Sequence, residues 1–305
     1  MNYELFIAKR LFSGLNKEKK RLSKPIVRIA QISIAMGVAV MLISISVSIA
    51  FKKEIKRKTV GFNSHIQVVN MDLNRSYETQ FIYSDSSFEK KIKKIPEISY
   101  IQKYATKASV IKTKGKVEGV VIKGVTSDYD FSFFKNNLTS GRLPDFKTSK
   151  KSNEILISEK LAKKLNVGLG DTVRAYFMQK HIRLRRFKIA GLFNTGMPEL
   201  DKMYVFADIR HIQKLNSWKE NQISGYEISL KDFDKLDEVK NKINEIIGYG
   251  IKKDAPNMKV QTIKEMYPLI FEWIALFDTN VWVILILVSL VAGFNMISGL
   301  LVIVL

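Results

Sequence analysis

From Ile29 to Phe51 the chain carries no charged residue, and none follows Asp278 as far as Leu305. These uncharged runs of 23 and 27 residues make helices of roughly 35–40 Å at about 1.5 Å per residue, enough to cross a hydrocarbon layer about 30 Å thick. Buried helices of soluble proteins seldom stay free of charge over such a length. The pattern predicts membrane helices within 25–51 and 279–305, a polar region 52–278 between them, and a short segment 1–24 before the first. In that leading segment Leu5, Phe6, Ala8, Leu11, Phe12 and Leu15 fall at helical spacing, with Lys9 and Arg10 elsewhere. This fits an amphipathic helix in the membrane interface, with Phe6, Lys9, Arg10 and Phe12 as interface residues, and equally one packed on a partner subunit.

The polar region alternates strand-like and helix-like stretches. His65–Asn70, Ile98–Thr113, Gly225–Leu230 and Met258–Thr262 read as strands. Ser86–Ile95 reads as a helix capped by Ser86 or Ser87, and Asp232–Ile247 as one capped by Asp232, with Leu236, Val239 and Ile243 on one face. Two strand–helix–strand units so far apart predict one α+β subdomain with a second subdomain inserted at about 128–218. Within the insertion, Glu154–Ile157, Thr172–Met178, Phe187–Phe193 and Met203–Phe206 read as strands. Ser158 caps one helix there, and Asp208–Leu215 forms another.

Charge sets the orientation. Segment 1–28 carries +6 and region 52–278 carries +15. The positive-inside rule, weighted toward the short segment, places the N-terminus in the cytoplasm and 52–278 outside. The first span is preceded by too much chain, and is too long, to be a cleaved signal. A net charge of +21 invites a nucleic-acid partner, but the excess is scattered lysine on a membrane-anchored chain. Anionic headgroups near the ends of the first span fit it better. With no cysteine, the outer region folds on its core alone.

Catalytic patterns fail on inspection. Gly119 and Gly124 have phosphate-loop separation, but Val125 and Thr126 stand where Lys and Ser/Thr are required. His65, His181 and His211 lack ligand spacing. Asp128 with Asp130, and Glu199 with Asp201, read as solvated loop acids. Gly293 and Asn295 suit helix packing in the second span. The reading is of a non-enzyme without metal or cofactor.

Several segments taken together resemble the LolC/LolE family of lipoprotein-releasing ABC transporter subunits, within the wider class of MacB- and FtsX-like permeases. They are Phe6-Ile7-Ala8-Lys9-Arg10; Gly61-Phe62-Asn63-Ser64-His65-Ile66; Glu154-Ile155-Leu156-Ile157-Ser158 with Ala162, Leu165, Val167 and Gly170-Asp171; Gly191–Gly196 with Glu199 and Asp201; Gly225-Tyr226-Glu227-Ile228; and Trp273 and Asn280 through Asn295-Met296-Ile297-Ser298. The resemblance implies an inner-membrane, multi-pass permease whose outer domain has a porter-like subdomain carrying an insertion. It also implies a separate cytoplasmic ABC ATPase, a second permease subunit, a lipoprotein substrate and a periplasmic carrier. The family has four spans, so the resemblance further implies that this chain stops inside its second and does not transport alone. Two readings stand beside it. One is a MacB- or FtsX-like permease with another substrate or a regulatory role; the other is a two-span sensor with an outer ligand domain.

Overall fold

The computed structural model describes residues 20–72, 78, 80–148, 150–179, 181–248 and 258–304. The stretch with Phe6, Lys9, Arg10 and Phe12 therefore lies outside the described residues. The chain forms two compact units: Lys56–Pro268, and a helical unit drawn from both ends.

Helix α1 (Lys20–Asn63) is unbroken over 44 residues. It runs past Phe51 because the Lys, Glu and Arg that follow are good helix formers. It ends where Ser64 turns left-handed at φ 58° and donates its amide to the Val60 carbonyl at 2.7 Å. Along it Ile32, Met36, Ile43 and Val47 are each more than 60% exposed, the profile of a helix whose solvent is lipid.

The outer unit begins with β1 (Ile66–Asn70), the two-residue β2 (Ile82–Tyr83), α2 (Ser86–Lys93) and the 15-residue β3 (Ile98–Lys112). Asp85 caps α2 by accepting from the Ser87 amide, one residue earlier than the sequence suggests, since its carboxylate outcompetes a hydroxyl as acceptor. Next come β4 (Val117–Val125), α3 (Ser132–Asn136), β5 (Leu138–Gly141), β6 (Glu154–Ser158) and α4 (Glu159–Leu165). Ser158 caps α4, accepting from the Leu161 amide. Then follow β7 (Thr172–Phe177), β8 (Arg183–Phe193), α5 (Pro198–Met203), β9 (Tyr204–Asp208) and α6 (Ile209–Asn216), the last capped by Asp208. The unit closes with β10 (Gln222–Ile223), β11 (Gly225–Leu230), α7 (Leu236–Ile247), β12 (Met258–Thr262) and α8 (Ile263–Met266). Asp232 caps not α7 itself but a 3-10 turn, Phe233–Lys235, leading into it. Strand β4 goes beyond the sequence reading, because Glu118, Lys123 and two glycines interrupt its apolar run.

Strands β12, β1, β11 and β3 lie side by side in that order, all antiparallel. With α2 and α7 they make a split βαβ layer, four strands under two helices. Alternation assigns the faces. Tyr226 meets Phe88 of α2, so Ile66, Val68 and Ile228 face the helices, and Gln67, Glu227 and Gln102 face away. The strands between β3 and β11 join this layer through β3. Pairings β3–β4, β4–β9, β9–β6, β6–β8, β8–β7 and β7–β3 return to their start, closing a six-stranded ring that shares β3 with the split βαβ layer.

Helix α9 (Pro268–Val304) runs for 37 residues. Trp282 and Phe294, each 67% exposed, stand on its surface. Both α1 and α9 are long and apolar enough to cross a membrane.

Candidate functional site

The face that a split βαβ layer commonly leaves to water is here covered, and its glutamines and glutamate are paired instead. Cross-strand register places Gln261 beside Gln67, Gln67 beside Glu227, and Glu227 beside Gln102. These four residues, one from each strand, form a ladder. Gln261 Nε2 donates to Gln67 Oε1 at 3.3 Å, Gln67 Nε2 to Glu227 Oε1 at 3.1 Å, and Gln102 Nε2 to Glu227 Oε2 at 3.3 Å. The Tyr104 hydroxyl donates to Gln67 Oε1 at 3.0 Å.

The ladder ends on a buried charge pair. Lys123 reaches from β4 across β3 and donates to Glu227 Oε1 at 2.6 Å, with side-chain exposures of 1% and 0%. Its ammonium also donates to the Phe62 carbonyl in the last turn of α1 at 2.5 Å. Cations are favoured there, because the final carbonyls of a helix are unpaired and the dipole is negative. Rings of Tyr104, Tyr129, Tyr204 and Phe206 stand 5.5–6.0 Å from the ammonium. Burial pulls the Lys123 pKa down, and the Glu227 carboxylate opposes that. Burial likewise holds the Tyr104 and Tyr129 hydroxyls well above their usual range, with Glu227 adding to the shift.

The end of α1 is tied in by further groups. Asn63 Nδ2 donates to the Tyr267 hydroxyl at 2.7 Å, joining the residue that closes α1 to one just before α9. Phe62 enters an aromatic core with Phe134, Phe193 and Tyr204, at ring separations of 5.4–6.2 Å. Gly61 is required beside it: a Cβ there would lie 2.4 Å from the Phe133 ring. His65 Nδ1 accepts from the Leu230 amide at 3.1 Å, and burial lowers its pKa to about 4. This geometry offers position rather than bond-making. Glu227 accepts from three donors, and the Lys123 ammonium is divided between a carboxylate and a helix end.

The residues singled out from the sequence fall elsewhere. Gly293 lies in α9, with open space where a Cβ would stand. Asn295 lies on the same helix, its side chain outside the described residues. Asp201 is not a solvated acid: it is 2% exposed and accepts from the Thr195 hydroxyl at 2.8 Å. Burial raises its pKa, with Thr195 and Lys58 opposing. His211 is structural, its Nε2 lying 2.8 Å from the Ser152 carbonyl. The sequence reading missed Lys123 and Glu227 as a pair; the signal was a lysine inside Val120–Val125 and an acid inside Gly225–Leu230.

Comparisons with known proteins identify relatives of this chain. The sequence profile of the MacB-like periplasmic core domain matches residues 29–246. The lipoprotein-releasing system transmembrane protein LolC of Buchnera aphidicola subsp. Schizaphis graminum is 26% identical over 241 residues, covering 73% of this chain and 56% of that protein. The corresponding LolE of Haemophilus influenzae is 23% identical over 310 residues, covering 98% of this chain and 70% of that one. The chain thus spans little more than half the length of the Buchnera protein. Among solved structures, the periplasmic region of MacB from Actinobacillus actinomycetemcomitans aligns at a TM-score of 0.44 and 15% identity, covering 67% of this chain and 91% of that one. With the profile extending from within the first apolar helix into α7, the chain belongs to the MacB-like periplasmic core domain family.

Proposed function

We propose that this chain is a transmembrane permease subunit of an ABC transporter that releases lipoproteins from the inner membrane. The observation that carries the reading is the likeness to LolE across 98% of the chain, both apolar helices included. In this reading the N-terminus is cytoplasmic and 52–278 is periplasmic. A separate ABC ATPase hydrolyses ATP, a second permease subunit completes the pathway, and a periplasmic carrier receives the lipoprotein. Phe6, Lys9, Arg10 and Phe12 settle in the cytoplasmic interface, and Gly293 and Asn295 pack against a neighbouring helix.

The buried ladder suits that task. A permease couples ATP hydrolysis on one side of a membrane to work on the other, and a helix end held by Lys123, Phe62 and Asn63 passes displacement on without local slippage. The test is depletion of the full-length protein in its host, followed by density separation of the two membranes. The proposal expects acylated lipoproteins to accumulate in the inner-membrane fraction, and re-expression to clear them. Unchanged lipoprotein distribution on depletion refutes it.

A further inference from the structure

A second concentration of charge lies where β8 meets α6. Along β8, Arg183, Arg185 and Phe187 alternate onto one face, the face that β7 lines with Phe177, Ala175 and Val173 through its register pairs. Those four apolar residues are at most 1% exposed, so the two arginines take positions that the pattern gives to the core. Contacts with α6 confirm the face. The Phe187 ring stands 4.8 Å from that of His211, and Arg183 Nη1 donates to the Lys214 and Leu215 carbonyls at 3.5 Å, where a helix end favours a cation. Arg185 lies between these contacts and shares neither. Its Nη1 turns back to the Leu184 carbonyl at 2.9 Å, and its Nε is buried with no hydrogen-bond partner among the described residues.

Two lysines add to the charge. Lys151 precedes Ser152, whose carbonyl meets His211 Nε2 at 2.8 Å, and Lys214 lies one turn beyond His211 on α6. Burial lowers the Lys151 pKa, and Arg185 and Lys214 lower it further. The acid that acts on Lys151, Asp208, is committed elsewhere: it pairs with Arg210 at 2.6 Å and accepts from the Arg210 and Ser152 amides. His211 supplies a group of the opposite kind. A carbonyl only accepts, so its Nε2 carries the proton and its Nδ1 is a bare acceptor, buried with no donor among the described residues. Like charges gathered in partial burial are unfavourable unless an anion stands among them. The ligand that answers every group accepts from Arg185, Lys151 and Lys214 and donates to His211. Inorganic phosphate at neutral pH does both through its P–O and P–OH groups. Sulfate, a phosphodiester, and a phosphomonoester above its second pKa of about 6 only accept.

We propose that Arg185, Lys151, Lys214 and His211 form a binding site for inorganic phosphate on the outer unit. It is separate from lipoprotein release, since the ligand is a small solute and no ATPase enters. The test is isothermal titration calorimetry of the detergent-purified full chain at neutral pH, in buffer free of both anions, with inorganic phosphate, sulfate or glycerol 3-phosphate as titrant. Saturable phosphate binding is expected, with sulfate and glycerol 3-phosphate about tenfold weaker. K151Q/K214Q is expected to lose about tenfold for phosphate, and K112Q/K114Q at the distant β3–β4 turn to lose nothing. H211Q keeps a donor for Ser152 but removes the bare acceptor, so it is expected to bring phosphate down to the level of sulfate and leave sulfate unchanged. Absence of saturable phosphate binding in the unaltered chain overturns the proposal, as does sulfate or glycerol 3-phosphate binding as tightly as phosphate. Equal loss in K112Q/K114Q overturns it too, by making the effect one of bulk charge, and so does a phosphate preference that survives in H211Q.

Discussion

The two units follow opposite rules of burial. In the helical unit Ile43, Val47, Trp282 and Phe294 are more than 60% exposed, while in the outer unit Lys123, Glu227 and Gln102 are buried. Each pattern is unfavourable in the other's solvent. Large exposed side chains are tolerated where hydrocarbon is the surroundings, and buried charge is tolerated where every donor and acceptor is matched. Hydrophobic-inside is therefore a statement about the solvent a segment meets, and one chain here obeys it in two senses.

The sharpest way to break the comparison is to orphan a buried charge. Glu227→Ala leaves the Lys123 ammonium without its carboxylate, and a loss of about 3–5 kcal/mol is expected in chemical denaturation of the purified protein. K123M/E227Q, which removes both charges, is expected to recover most of that loss. If the double variant is as unstable as the single, the charge pair is not what the ladder depends on. The converse change places a charge in the lipid-facing surface. Ile43→Lys is expected to cost about 3 kcal/mol of insertion, read as an increased alkali-extractable fraction.

Acid probes the outer unit through two buried histidines. His65 and His211 have folded pKa values lowered to about 4 by burial, against 6.5 for the free side chain. The unfolded chain thus binds protons that the folded one refuses. Their contribution to stability is whole above pH 6.5 and is lost as pH falls toward 4, a loss of about 3 kcal/mol each once both states are protonated. His65→Gln is expected to flatten this part of the pH profile; an unaltered profile assigns the acid sensitivity to other groups. A smaller effect is expected at the end of α1. Gly61→Ala gains helix propensity but meets Phe133, for a net loss of about 1–2 kcal/mol that Phe133→Leu in the same chain relieves. The smallest is on the surface: Arg142→Ala, which breaks the exposed pair with Glu154 at 2.5 Å, is expected to cost less than about 1 kcal/mol.

Strand positions were legible wherever periodicity was undisturbed. Gly225–Leu230 and Met258–Thr262 have the same limits in sequence and structure. The ladder was not legible, for a reason visible in β11. There Tyr226 and Ile228 alternate with Glu227 and Ser229, the pattern of a strand with one wet face. What dries that face comes from distant positions: Phe62 and Asn63 from α1, Lys123 from β4, and the Asp130 amide that donates to Gln102 at 3.1 Å. Alternation reports which face a side chain takes; it does not report what later covers the face. The six-stranded ring was hidden likewise, because the β7–β3 pairing that closes it joins Val110 to Tyr176 and leaves no mark on either segment.

One pairing governs how the molecule is made. Ile66 of β1 sits opposite Thr262 of β12, nearly the whole outer unit apart in sequence. At about 5–20 residues per second of synthesis, the first strand waits about 10–40 s for that neighbour. Its other neighbour, β11, also arrives late, so β1 spends the interval with both edges open. The six-stranded ring has all its strands, β3, β4 and β6 through β9, before either partner of β1 is made. A slow step is therefore built into assembly of the four-stranded layer, and molecules caught within it present an unpaired apolar strand to any factor that guards nascent chains.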